Sequence, residues 1–310
     1  MSLALQVIVS GLAAGSVYGL IAIGYSLVYR LTGVVYFALG DLVGLAVFAA
    51  LLVAAGTGPV TQTNIAPARF VAAIIVGFVV CVLASAGAYA AAVHTHLVRG
   101  STIGWVAAVV AIAFAARSAV AVVFTRPSYV FPDPIPFRKL GHAGFYSVGD
   151  ATIQVRAFFV IAVALVLAVA TSWIVERTRF GLGLRAIASD VTAARLVGVP
   201  VDRLVLATFG LAGGLAALAA VVAAPSAPFG VESGALLGVK GLVAAVLVGF
   251  GSPWTAFGAG LGLGVGEQAI ANAQVGGTGL GPEYSEVIPL AGVLVALAVA
   301  SWRRLRVTPE

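Results

Sequence analysis

Apolar residues run along this chain in stretches of about 20 separated by short polar breaks, the length a helix needs to cross the hydrocarbon core of a bilayer. The runs fall at about 4–29, 35–55, 69–93, 103–124, 156–174, 204–224, 236–251, 254–274 and 286–302. This pattern predicts an all-α polytopic membrane helix bundle of about 8–9 transmembrane segments. Breaks fall at two places. Tyr36 to Asp41 sets a Gly-Asp pair inside the second run, and Gly249 to Pro253 sets Gly-Phe-Gly-Ser-Pro between the seventh and eighth. Either break is a loop or the mark of a discontinuous or re-entrant helix. The first run is longer than a signal-peptide core and lacks a basic leader, so it is expected to be the first membrane helix.

Composition strengthens this reading. The chain has 310 residues, 61% hydrophobic and only 9% charged, where soluble domains carry about 25% charge. A single transmembrane domain over 1–310 is expected. Cys81, the single cysteine, lies inside an apolar run, which excludes a disulfide framework and a cysteine metal site. All but Lys139 and Lys240 of the 17 basic residues are arginines, spread through loops. That distribution is a topology signal and not a nucleic-acid surface. His94 and His96, two residues apart near a helix end, and His142 in a loop do not converge on a metal. No G-x-x-x-x-G-K-S/T loop is present, so the chain is not itself an ATPase, and no cofactor is expected on it.

The basic residues orient the bundle. A cytoplasmic C-terminus puts Arg30, Arg99, Arg177, Arg179, Arg185, Arg195, Arg203, Arg303, Arg304 and Arg306 inside. Only Arg69, Arg126, Arg138, Lys139 and Arg156 then fall outside, as the positive-inside rule requires. Nine crossings set the N-terminus outside and eight set it inside. An external loop at about 125–155 contains Pro127, Pro132, Pro134 and Pro136, and a polar cytoplasmic loop spans about 176–203.

Small residues recur at four-residue spacing as Gly11–Gly15, Gly210–Gly214 and Gly258–Gly262–Gly266, spacings that allow helix backbones to approach closely. Intramembrane ionisable groups are the default functional candidates because each is expensive to keep there. Asp41 and Glu267 are suited to a substrate ammonium; Lys240 and Arg117 are suited to a carboxylate or to pairing with those acids. Tyr18, Tyr36 and Phe37 lie in the first two runs, where Gly15, Gly19, Gly24 and Gly40 permit backbone exposure beside a cavity. Asn272 and Gln274, followed by Gly276 and Gly277, stand near the outward end as candidate contacts for a delivered solute.

Within the cytoplasmic loop, Leu184, Ile187, Val191, Ala194 and Leu196 recur near helical spacing. Ser189 or Asp190 is placed to cap a short helix that Gly198 and Pro200 end. Such an amphipathic knob suits either docking onto a soluble partner or lying on lipid head groups.

The loop resembles the coupling loop of permease subunits of branched-chain amino acid ABC importers, the LivH/LivM type, with its pattern G-x-x-x-R-A followed by D-x-x-x-A-x-x-x-G. Gly181, Arg185, Ala186, Asp190, Ala194 and Gly198 fall on that pattern, Val199 falls on the Ile/Val position that follows it in the family, and Arg195 stands within it. The stretch from Gly11 to Val35 is similar to the family's opening. Phe37 to Asp41 follows where the family has N-F-A-H-G-D/E, and Gly238 to Ser252 with Gly264 to Glu267 resembles its late glycine-rich run. Tyr36, Leu39 and Phe250 replace the family's Asn, His and second late Gly.

The resemblance implies a permease of an ATP-driven importer in a bacterial inner membrane, moving branched-chain or hydrophobic amino acids or a related amphipathic solute. It also implies partners: a homologous, LivM-like permease subunit, two cytoplasmic ATPase subunits that use ATP and Mg, and an external solute-binding protein. Tyr18, Tyr36, Phe37, Asp41, Lys240 and Glu267 are then the substrate-path candidates. An ion-gradient-driven transporter or channel is the alternative, with Asp41 and Glu267 as coupling acids.

Overall fold

The computed structural model describes residues 2–57, 65–93, 102–132, 145–148, 151–272, 274–275 and 278–279. The expected last segment at 286–302, the three histidines and the C-terminal arginines lie outside the described residues. So do Arg99, Arg138, Lys139, Gly276 and Gly277.

The long apolar runs form helices α1 (Ser2–Thr32), α2 (Leu39–Ala54), α3 (Pro67–Ala88), α4 (Thr102–Val123), α5 (Val155–Arg177), α6 (Arg179–Ser189), α7 (Val191–Leu196), α8 (Val201–Ala223), α9 (Ser233–Leu247) and α10 (Pro253–Ala271). A π-turn, Tyr89–Val93, extends α3, and a short hairpin pairs Phe145–Val148 with Ala151–Gln154 before α5. Among the described residues five helices are long and apolar enough to cross a membrane, and α2 and α9 are shorter apolar helices. The all-α membrane bundle expected from the sequence is the fold observed.

Packing fixes the directions. Gly11 lies against Val265 and Gly19 against Phe257, so α1 and α10 are antiparallel. Gly77 lies against Ala46, and Cys81 Sγ donates to the Leu42 carbonyl at 3.5 Å, so α2 and α3 are antiparallel too. The C-terminal end of α1, around Tyr29 and Arg30, shares a cleft with Ile187 to Val191 of the 176–203 loop. The start of α1 is therefore at the opposite end of the bundle from that loop.

The chain is irregular before α2 and again before α9. After α1 the chain turns at Gly33 (φ +70°) and runs irregularly to Leu39 before α2 begins. After α8 a 3-10 turn at Ala224–Ser226 and an irregular stretch, bridged at Phe229 to Tyr129, lead into α9. The first break is the one expected at Tyr36 to Asp41; the second fills the gap left between the runs at 204–224 and 236–251, where the sequence has Pro225, Pro228 and Gly230. Gly249 to Pro253 is instead a tight turn joining α9 to α10. The Gly249 and Phe250 amides donate back to the Val246 and Ala245 carbonyls, capping α9. Ser252 Oγ then accepts from the Thr255 amide to start α10.

Glycine seams hold the bundle. A methyl group at Gly15 would stand 2.6 Å from the Gly260 carbonyl oxygen, and one at Gly264 or Gly260 would collide with the α1 backbone at Gly15 and Gly19. The α10 stripe in contact is thus Gly260–Gly264, two residues off the expected Gly258–Gly262–Gly266 row, which has nothing within 4 Å. A two-residue step turns a helix position about 200°, to the opposite face. The expected Gly210–Gly214 row does face a helix: Gly214 packs under Phe78 and Gly210 meets Val82 of α3. A further crossing sets Gly40 and Gly44 of α2 against Gly238 and Gly234 of α9. Gly15, Gly19, Gly24 and Gly40 are therefore covered by neighbouring helices and do not expose backbone to a cavity.

Phe250 is the one described non-glycine residue with positive φ, +54°, a conformation that costs an L-residue roughly 1–2 kcal/mol. Its ring stacks on Tyr29 with centroids 3.9 Å apart and planes at 18°.

Two stability measurements in detergent check this packing. Gly264→Ala is expected to cost about 1–3 kcal/mol by forcing the seam apart, while Gly262→Ala on the open face stays within about 0.5 kcal/mol of the parent. Phe250→Gly, which removes the strain, is expected to exceed Phe250→Ala in stability by about 1 kcal/mol; the reverse order contradicts the left-handed turn.

Candidate functional site

A cavity of about 540 Å³ opens in the half of the bundle away from the 176–203 loop. Its walls are the first half of α1, the start of α5, the end of α8 with the irregular stretch after it, the start of α9 and the end of α10. The lining is chiefly apolar, with Val9, Val17, Val160, Phe229, Leu236 and Leu237 among it, and polar groups enter at Gln6, Ser10, Tyr18, Lys240 and Gln268.

Tyr18 and Lys240 lie on the floor of this chamber, and Glu267 stands behind them, outside the lining. Lys240 Nζ of α9 donates to Glu267 Oε1 of α10 at 2.5 Å and to the Tyr18 hydroxyl of α1 at 3.3 Å, and it lies 5.3 Å from the Tyr18 ring centre. The side chains are well covered, at 17% exposure for Lys240 and 8% for Glu267. These three helices can bring the groups together because the α1–α10 glycine seam brings their backbones into contact, and α9 turns tightly into α10. An ammonium has three donors; the third N–H of Lys240 has no partner among the described residues. Glu267 Oε2 is likewise buried without one.

The other expected path residues are elsewhere. Tyr36 is 1% exposed and packs edge-on against Phe209 at 4.8 Å, in the core between the helices. Leu39 is fully buried beside it. Phe37 is 45% exposed and lines neither cavity. Asp41 accepts from Arg117 Nε at 2.9 Å, joining α2 to α4 away from the chamber. Asn272 Nδ2 donates to the Gln268 carbonyl at the end of α10. So Tyr18, Lys240 and Glu267 form one constellation, and Tyr36, Phe37 and Asp41 do not join it.

Arg156 was read only as an external charge. It is 5% exposed, and its Nη2 donates to the Val222 carbonyl at 3.3 Å. A basic residue in the first turn of a membrane helix ordinarily anchors at the interface, so its position alone carries no sign of burial.

At the other end, the 176–203 loop folds into two short helices where one was expected. Thr178 caps α6, and Asp190 caps α7, its Oδ1 accepting from the Thr192 and Ala193 amides at 2.8 and 3.0 Å. The Gly198 (φ +83°) and Val199 amides donate back to the Arg195 and Ala194 carbonyls and close α7. The spacing Asp190, Ala194, Gly198 is therefore the geometry of a doubly capped short helix whose Ala194 side chain is buried.

The preceding motif has a similar basis. Any side chain at Gly181 would collide with the Val175 carbonyl, and Arg185 Nη2 donates to the Glu176 carbonyl at 3.2 Å, so α6 is folded back on the end of α5. Ala186, partly buried, packs against the core, and Arg195 pairs loosely with Asp202 at 3.5 Å on the surface. Leu184 and Ile187 are buried, whereas Leu182 (60%), Leu196 (84%) and Val197 (77%) stand exposed on a surface rich in arginine. Those exposed apolar side chains, Leu196 included, were not distinguished from the buried stripe by periodicity, because the chain turns between α6 and α7.

Comparison with known proteins follows the same line. Over residues 7–297 the chain matches the family described as the permease component of the branched-chain amino acid transport system. It is 30% identical over 307 residues to the high-affinity branched-chain amino acid transport system permease protein LivH of Escherichia coli K12, covering 95% of this chain and 93% of that protein. It is 29% identical over 301 residues to the corresponding protein BraD of Pseudomonas aeruginosa, covering 94% and 92%. Among solved structures, an inward-facing metal-chelate type ABC transporter shares the fold at 17% identity and a TM-score of 0.50, covering 94% of this chain and 85% of that one. A polytopic membrane bundle with a solute-sized chamber, matched along nearly its whole length, this chain belongs to the branched-chain amino acid transport system permease family.

Proposed function

We propose that the chain is the membrane-spanning permease subunit of an ATP-driven importer that carries branched-chain or other small hydrophobic amino acids across a bacterial inner membrane. The observation that carries this reading is the arrangement of two ends on one bundle. A largely apolar chamber with a charged floor opens on one side, and a capped helical knob with exposed Leu182, Leu196 and Val197 projects from the other. Exposed leucine and valine at 84% and 77% exposure are costly in water and are covered when a soluble partner docks.

The partners in this reading are a second, homologous permease subunit, two cytoplasmic ATPase subunits that bind ATP and Mg, and an external solute-binding protein that delivers to the chamber. Movement of the α6–α7 knob has a short route inward. Ile187 to Val191 share a cleft with the end of α1 and with Gly249 to Gly251, the turn of the α9–α10 hairpin that carries Lys240 and Glu267. Tilting that hairpin against α1 converts a push from an ATPase into a change at the chamber floor, a rigid-element mechanism of the hinge or shear kind. The charged pairs present tie helices to one another, and no observation favours an ion-gradient drive over this one.

The test replaces the exposed apolar side chains of the knob and leaves Asp190 and Gly198 in place. The double substitution Leu196→Asp with Val197→Asp is expected to leave the permease folded, by its melting profile. It should reduce ATPase subunits recovered with the membrane complex at least about tenfold, the loss of about 1.4 kcal/mol or more of docking energy. ATP-driven uptake should fall with it. Full recovery of the ATPases and undiminished uptake contradict docking on this knob.

A further inference from the structure

The corner at Lys240 is built to hold more than its own ion pair. Lys240 and Glu267 together carry no net charge, yet one N–H of Lys240 and the Oε2 of Glu267, a side chain 8% exposed, lack partners among the described residues. A buried acceptor left unsatisfied is unfavourable, and a buried pair is favourable only when its remaining donors and acceptors are met. The chamber bordered by Lys240 and Tyr18 supplies the room, about 540 Å³, and an apolar wall at Val17, Leu236 and Leu237, with Glu267 buried just behind Lys240.

We propose, resting on the importer reading above, that this corner is the recognition site for the zwitterionic head of an apolar α-amino acid. The carboxylate accepts from the free N–H of Lys240, beside the Tyr18 hydroxyl. The ammonium donates to Glu267 Oε2 as α10 shifts to admit it, and the side chain lies along the apolar wall. Four alternating charges then sit in one low-dielectric pocket with no net charge. A carboxylic acid without the amine, or an amine without the carboxylate, leaves one buried charge uncompensated. The site therefore selects zwitterions over either singly charged analogue. Tyr18 acts as a positioning residue, holding the ammonium of Lys240 toward the chamber through a 3.3 Å hydrogen bond. The Asp41–Arg117 pair, outside the chamber wall, takes no part.

Binding of radiolabelled leucine to the assembled complex of permeases and ATPases in nanodiscs tests this. Unlabelled leucine is expected to compete at least about tenfold better than 4-methylpentanoate, which lacks the amine, or 3-methylbutylamine, which lacks the carboxylate. Lys240→Met is expected to weaken leucine binding about tenfold or more while the variant still assembles with the ATPase subunits and keeps its melting profile, which separates loss of the site from loss of the fold. Tyr18→Phe removes one hydroxyl and no charge, decides the matter if Lys240→Met does not assemble, and is expected to weaken binding about three- to tenfold. Equal competition by either analogue, or parental leucine affinity in Lys240→Met or Tyr18→Phe, overturns the proposal. A parent complex that binds and transports no apolar amino acid overturns the importer reading, and this one with it.

Discussion

Lipid tails are as apolar as leucine, so helices in a bilayer gain little from hiding apolar surface against one another and associate by close packing of their backbones. In this protein that constraint is met by glycine. Gly11, Gly15 and Gly19 of α1 lie against Gly260 and Gly264 of α10, and Gly40 and Gly44 of α2 lie against Gly234 and Gly238 of α9. The first seam places Tyr18 over α10; the second places α9 so that Lys240 reaches Glu267. Without those contacts the charged corner would not form, because an ammonium and a carboxylate on separated helices in hydrocarbon would each stand unpaired.

The two ends of the bundle are connected by the hairpin between α9 and α10. Its turn at Gly249 to Gly251 borders the cleft shared with the α6–α7 knob, with Phe250 stacked on Tyr29. The helices leading away from that turn carry the floor of the chamber. A Phe held in a left-handed conformation beside a ring stack is a small store of strain at the turn that borders the knob. The hairpin is capped at the end of α9 by backbone hydrogen bonds and at the start of α10 by Ser252.

Much of the fold was legible in the chain because a membrane helix needs a run of apolar residues, and the eight described runs appear as helices within a few residues of expectation. The loop helix was legible through Asp190 and Gly198, whose roles as caps depend on local chemistry alone. Three features were not. The Gly260–Gly264 seam was missed because α10 has glycine on both faces, and spacing does not say which face meets α1. The gap between the 204–224 and 236–251 runs was legible, with Pro225, Pro228 and Gly230 in it, but its bridge from Phe229 to Tyr129 was not, because a tertiary contact makes it. Among path candidates, ionisable side chains inside the membrane were correctly marked as costly, but which of them pair away from the chamber, as Asp41 does with Arg117, depends on helix neighbours that no local pattern records.

The central claim is that the chamber faces the side opposite the α6–α7 knob and receives solute there. Cysteine labelling tests it directly, since the single native cysteine, Cys81, is fully buried and gives a silent background. With Leu237→Cys, whose side chain lines the chamber, the account predicts labelling by a membrane-impermeant thiol reagent added on the side opposite the knob, slowed by leucine. Labelling only from the side of the knob, or labelling that leucine does not slow, would contradict it.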